Sequence, residues 1–211
     1  MTGAVGDPAT PEPTGGRFVG AVLLTPGAGS GADHPALLAI EAALSPLPVA
    51  RIDFPYRIQG RKAPDRAPKL VTTVVEAATE LARRCGVTAA QVVLGGRSMG
   101  GRMCSMAVAE GLPAAGLVLV AYPLHPPGRP DRLRVAHLPE IEVPCLFVSG
   151  TRDPFATPAE LESATSAIPA PVTHLWIEGG RHELKGDEAS VATAVAAWVQ
   201  GLDALGAGPR G

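Results

Sequence analysis

Cysteine is scarce in this chain: Cys85, Cys104 and Cys145 are an odd number, with no C-x-x-C spacing and no histidine at metal-ligand spacing. That argues against a disulfide framework and against a zinc site, and leaves reduced thiols in a cytoplasmic protein as the expectation. An excess of either charge is missing too. Lys and Arg together number 18 against 20 Asp and Glu, a formal net charge of -2, so no global field draws the chain to nucleic acid or to an anionic membrane surface. No apolar run reaches the roughly 18 residues of a membrane span, and the first residues lack the basic and then apolar pattern of a secretion signal. The expected partner is a small-molecule substrate, with neither nucleic acid nor membrane. Nothing in composition speaks to oligomeric state.

What is present is enough apolar material for one good core: 46% of 211 residues. Residues 1–16 (MTGAVGDPATPEPTGG) are rich in Pro, Gly and Thr without periodicity and read as a disordered arm, and the closing GAGPRG reads the same way. Residues 17–206 read as a single domain. Within it, short apolar runs resembling buried strands (FVGAVLLT, VARIDFPY, QVVLGG, GLVLVAY, VPCLFVSG, VTHLWIE) alternate with stretches of helical period. The helices are expected over Pro35 to Ala43, Pro68 to Cys85, Met99 to Glu110, Pro158 to Ile168 and Glu188 to Leu205, with Gly86 as a C-terminal stop. The alternation predicts an α/β fold of about six mainly parallel strands with helices on both faces. Right-handed crossovers then put the loops that follow strands at the carboxyl edge of the sheet, where ligands bind.

One such loop carries Gly96-Arg97-Ser98-Met99-Gly100, a G-x-S-x-G between a strand pattern and a helix pattern. In that context Ser98 is the candidate nucleophile, held on a sharp turn whose flanking glycines remove clashing Cβ atoms. A serine hydroxyl is a weak nucleophile, so it needs a base and the base needs an orienting acid. Asp153 follows the strand VPCLFVSG and His182 follows VTHLWIE, which gives Ser, Asp and His in the order this arrangement uses. His174 lies inside a strand pattern, and His137 precedes a strand and falls on the wrong edge. The RHELK segment lacks the second histidine of a zinc motif, so no metal and no cofactor is expected.

The loop Thr25-Pro26-Gly27-Ala28-Gly29-Ser30-Gly31 follows the first strand and is the expected source of one oxyanion donor, the Ala28 N–H. Met99, next after the nucleophile, supplies the other. A dinucleotide site is an alternative for the same glycines, with Asp53 for the ribose, but about 26 residues separate Gly27 from Asp53 and Pro35 starts the helix late. A non-catalytic interaction module on the same fold is another. Among the cations of the loops at the site edge, Arg57 and Arg129 are candidates for holding an anionic group of the substrate, and His125 for facing the pocket. Only about 19 residues lie between Tyr122 and Glu142, too few for a folded cap, so an open site is expected.

The phrases PGAGSGADHP, RIDFPY, GGRSMGGRM, YPLHPPGRPDRLR, GTRDPF and GGRH together resemble the α/β-hydrolase-like family that includes testis-expressed protein 30, related more distantly to dienelactone hydrolases. The resemblance runs from about residue 18 to 200. It implies the α/β-hydrolase fold and points to Ser98, Asp153 and His182, hence to a serine hydrolase acting on a small ester or thioester. Relatives often have His-Gly where this chain has Pro26-Gly27, and dienelactone hydrolases carry Cys where this chain has Ser98.

Overall fold

Strands that read as unbroken apolar runs do so because both of their faces are covered. In the computed structural model, which describes residues 18–206 and so leaves the arm expected over residues 1–16 outside, β1 (Ala21–Thr25), β3 (Val92–Arg97), β4 (Gly116–Val120) and β5 (Cys145–Gly150) are buried along their whole length. The edges are β2 (Val49–Arg51) and β6 (Val172–Ile177), both partly exposed. All six pair in parallel, in the order β2-β1-β3-β4-β5-β6.

Successive residues of each strand feed opposite cores. Val22, Leu24, Val118 and Val148 pack with Leu37 and Ile40 of α1 (Pro35–Leu44) and with Val191 and Val195 of α6 (Glu188–Gly206). Ala21, Leu23, Leu117 and Phe147 pack on the other face with α3 (Ala67–Cys85), α4 (Met99–Ala109) and Leu161 of α5 (Pro158–Thr165). In α3 the buried stripe is Leu70, Val74, Ala78 and Leu81, and Gly86 closes the helix at φ 66, a left-handed conformation that favours glycine. Burial pushes the thiols of Cys104 and Cys145 up to about 12, so both pack as small apolar groups, and all three cysteines are free. Among the described residues no helix is long and apolar enough to cross a membrane.

One strand is shorter than its apolar run predicts. VARIDFPY leaves the sheet at Arg51 after a last backbone bond from Ile52 N–H to the Leu24 carbonyl (3.2 Å), and Pro55 opens the one-turn helix α2 (Pro55–Ile58). Pro55 has no N–H to give a ladder, and Asp53 turns its carboxylate to the Ala32 N–H (2.9 Å). Phe54 and Tyr56 remain fully buried, but against the α3 side of the sheet and not as strand residues.

From β1 the chain steps to one side to form β2 and then returns to the other side as β3. The crevice at that reversal lies beyond the carboxyl ends of β1 and β3. It is bordered by residues 26–34 and by Ser98. Between β4 and β5 the only regular element is a one-turn 3-10 helix at Leu138–Glu140, so no folded cap covers the crevice among the described residues.

Candidate active site

Ser98 occupies a backbone conformation that non-glycine residues rarely adopt, φ 51 and ψ -118, at the junction of β3 and α4. Its own N–H still reaches the Val120 carbonyl of β4 (2.8 Å), so the sheet holds the turn in place. The flanking glycines let the helix press onto β1. A Cβ on Gly96 would stand 2.1 Å from Thr25 Oγ1, and one on Gly100 would stand 2.5 Å from the Pro26 carbonyl oxygen.

The candidate base and acid converge on this turn. His182 Nε2 lies 2.9 Å from Ser98 Oγ, and His182 Nδ1 lies 2.8 Å and 3.0 Å from the two carboxylate oxygens of Asp153. A carboxylate only accepts, so Nδ1 carries the proton and Nε2 presents a lone pair to the serine hydroxyl. Asp153 is 3% exposed, and its Oδ1 also accepts from the Phe155 N–H (2.8 Å). The Phe155 ring stacks on the imidazole at 4.0 Å between centroids, which fixes the ring plane.

Neither the acid nor the base sits on a regular element, yet their loops are joined backbone to backbone. Arg152 N–H donates to the Gly180 carbonyl (2.9 Å) and Thr151 N–H to the Ile177 carbonyl (3.0 Å). Gly150 makes the approach possible, since a Cβ there would stand 2.2 Å from the Gly180 oxygen. Gly150→Ala is expected to destabilise the fold by about 1–3 kcal/mol in urea unfolding and to separate His182 from Asp153. An unchanged midpoint would contradict this reading of the contact.

Arg97, the variable residue before the serine, is buried and reaches the same loop from the other side. Its Nη2 donates to the His182 carbonyl (3.0 Å) and pairs with the Glu183 carboxylate. His34 caps α1, its Nδ1 accepting from the Ala36 N–H (3.2 Å), and burial followed by the Arg97 charge holds its pKa below the ordinary value. Ala28 and Met99 both face the cavity at Ser98, and among the described residues the backbone N–H of neither has a hydrogen-bond partner. The Tyr56 hydroxyl donates to the Ala28 carbonyl (2.8 Å) and steadies that loop. Asp53, the residue a dinucleotide site would need, is taken up by the Ala32 N–H. No group of three or more His, Cys, Asp or Glu able to hold a metal occurs among the described residues.

The cavity measures about 710 Å³ and includes Phe155, His182 and Arg97 in its wall. A family profile for the alpha/beta hydrolase domain matches residues 19–207. The chain belongs to the alpha/beta hydrolase family. Solved structures of such hydrolases share its fold at low identity. Est1E from Butyrivibrio proteoclasticus is 15% identical over 89% of this chain and 90% of its own, with a TM-score of 0.71. An alpha-beta serine hydrolase homologue from Coxiella burnetii is 17% identical over 88% and 87%, with a TM-score of 0.71. A dienelactone hydrolase from Anabaena variabilis is 23% identical over 87% of both chains, with a TM-score of 0.70.

Three residues expected at the rim of the pocket are placed elsewhere. Arg57 sits on α2 beside a separate hollow with Asp33, Arg51 and Asp53, because β2 ends early and turns the chain away. His125 is buried with Nδ1 on the Pro126 carbonyl (2.8 Å) and Nε2 3.6 Å from Glu160, which ties its loop toward α5. Arg129 is exposed, 3.7 Å from Asp131. The loop after β4 bends back on itself, Arg134 N–H reaching the Leu124 carbonyl (2.8 Å), so Arg134 and not Arg129 lines the cavity, together with Arg102 from α4.

Proposed function

We propose that the chain is a serine hydrolase that cleaves a small ester or thioester through an acyl-serine intermediate. The observation that carries this reading is the unbroken run of hydrogen bonds from Ser98 Oγ through His182 to Asp153, with the serine on a left-handed turn. The hydroxyl attacks the substrate carbonyl carbon while its proton passes to His182 Nε2, and Asp153 stabilises the imidazolium. The N–H groups of Ala28 and Met99 receive the oxyanion, and a donor of this kind contributes about 3 kcal/mol. Collapse of the tetrahedral intermediate breaks the bond to the alcohol or thiol, which leaves with the proton from Nε2. Water then gives a proton to the same nitrogen and attacks the acyl-serine; the bond from the acyl carbon to Ser98 Oγ breaks, Nε2 returns its proton to Oγ, and the acid leaves.

The phrases shared with the testis-expressed protein 30 group support a place near that branch of the family, and the three free thiols favour a cytoplasmic setting. The test is to incubate the wild-type protein with a fluorophosphonate probe and locate the adduct by peptide mass. Modification of Ser98 is expected. An inert serine in folded protein would favour a non-catalytic binding module instead. A panel of p-nitrophenyl esters and acyl thioesters then ranks the leaving groups.

A further inference from the structure

Three arginines border the cavity at Ser98, and only Arg97 has a carboxylate, that of Glu183. The guanidinium groups of Arg102 and Arg134 make no hydrogen bond or ion pair among the described residues, and the Arg102 Nε is sealed from solvent. The two are close enough to feel each other: the Arg134 pKa lies below the usual arginine range, through burial first and the Arg102 charge second. The one carboxylate in the cavity lining, that of Glu183, is paired with Arg97. The groups that feel the Arg102 charge are the Tyr122 hydroxyl and the His137 imidazole, 3.2 Å apart, with Ser105 Oγ 2.8 Å from the same imidazole nitrogen. Burial and the Arg102 charge lower the His137 pKa to about 4, and burial raises that of Tyr122 to about 12, so both are neutral at physiological pH. Half-burying two like charges without a counterion is costly. A ligand that brings a negative charge removes that cost.

The position of the pair relative to the nucleophile narrows the ligand. Arg102 lies in the first turn of α4, its N–H bonded to the Ser98 carbonyl (3.1 Å), and its side chain lines the same cavity as Ser98. Arg134 approaches from the returning β4–β5 loop. An anion held by the two guanidinium groups shares one cavity with a carbonyl at Ser98, and a planar carboxylate suits the paired donors of arginine. We propose that Arg102 and Arg134 form a subsite for a carboxylate on the acyl half of the substrate, which makes the preferred substrate a half-ester or half-thioester of a short dicarboxylic acid. The substrate class rests on the serine-hydrolase reading of Ser98; the anion subsite itself does not need turnover.

The experiment therefore reads binding. In Ser98→Ala protein, calorimetric titration with monomethyl glutarate is compared with methyl valerate, its neutral counterpart. Monomethyl glutarate is expected to bind more tightly. Arg102→Gln or Arg134→Gln should weaken it by about ten- to a hundredfold, with partial recovery in Arg134→Lys. Equal affinity for the two esters, or affinity that ignores the glutamine substitutions, overturns the proposal. So does a preference for the carboxylate on the alcohol half, tested with the butyrate ester of 3-hydroxypropanoate. Should Arg102→Gln fail to fold, the Arg134 variants on the loop carry the comparison. Fluorophosphonate labelling without charge discrimination removes the subsite alone, whereas discrimination in a protein that never labels removes the hydrolase reading alone.

Discussion

Ser98→Ala is expected to lower kcat on the best p-nitrophenyl ester by about 10^4- to 10^6-fold and to abolish fluorophosphonate labelling. The loss is chemical and not structural. The hydroxyl's hydrogen bond is to His182 Nε2, while the backbone of the turn is held by the Val120 carbonyl and by the close approach of Gly96 and Gly100 to β1. Alanine keeps the Cβ that the turn already tolerates, so unfolding free energy should move by less than about 1 kcal/mol. Stability and rate are thus measured on one variant, by urea unfolding and by initial velocities. Turnover within tenfold of wild type would mean that the ester is cleaved at another place in the molecule.

Asp153→Asn should lower kcat by about 10^4-fold with little change in KM, since the side chain lies behind His182 and not on the cavity wall. The asparagine orientation is decided by its second partner. Phe155 N–H requires an acceptor, so the amide oxygen stays on that side and the amide NH2 is presented to His182 Nδ1. Nδ1 can then only accept, and the proton of the neutral ring moves to Nε2, facing the serine hydroxyl it should deprotonate. Binding survives and proton transfer does not. An effect carried by KM, or a kcat within tenfold of wild type, would show that Asp153 does not set the tautomer.

Ser98, Asp153 and His182 were readable from sequence because each stands just past an apolar run, and parallel topology sends every such position to one edge. The helix limits were readable as well, since α3 and α6 begin and end within a residue or two of their periodic stretches. Side chains on long loops were not. Arg57, His125 and Arg129 follow strands as the triad residues do, but the direction of a loop several residues past its strand is set by tertiary bonds such as His125 N–H to the Phe155 carbonyl. Pattern could not separate Phe54 and Tyr56 from the strand before them, because a buried one-turn helix and a buried strand end are equally apolar. Arg102 did have a signal: it stands in the first helical turn after the nucleophile, close to the carboxyl edge of the sheet. Arg97 and the Gly150 to Gly180 contact had none, because each joins segments distant along the chain.

His182 rides on a stretch without regular structure, lashed at one side to the turn after β5 and at the other to the guanidinium of Arg97. For the backbone of this stretch to lift away, both lashings must give at once. A side chain on a surface loop ordinarily wanders at the low free energy of local opening, and bonds to two separate segments raise that free energy for this one.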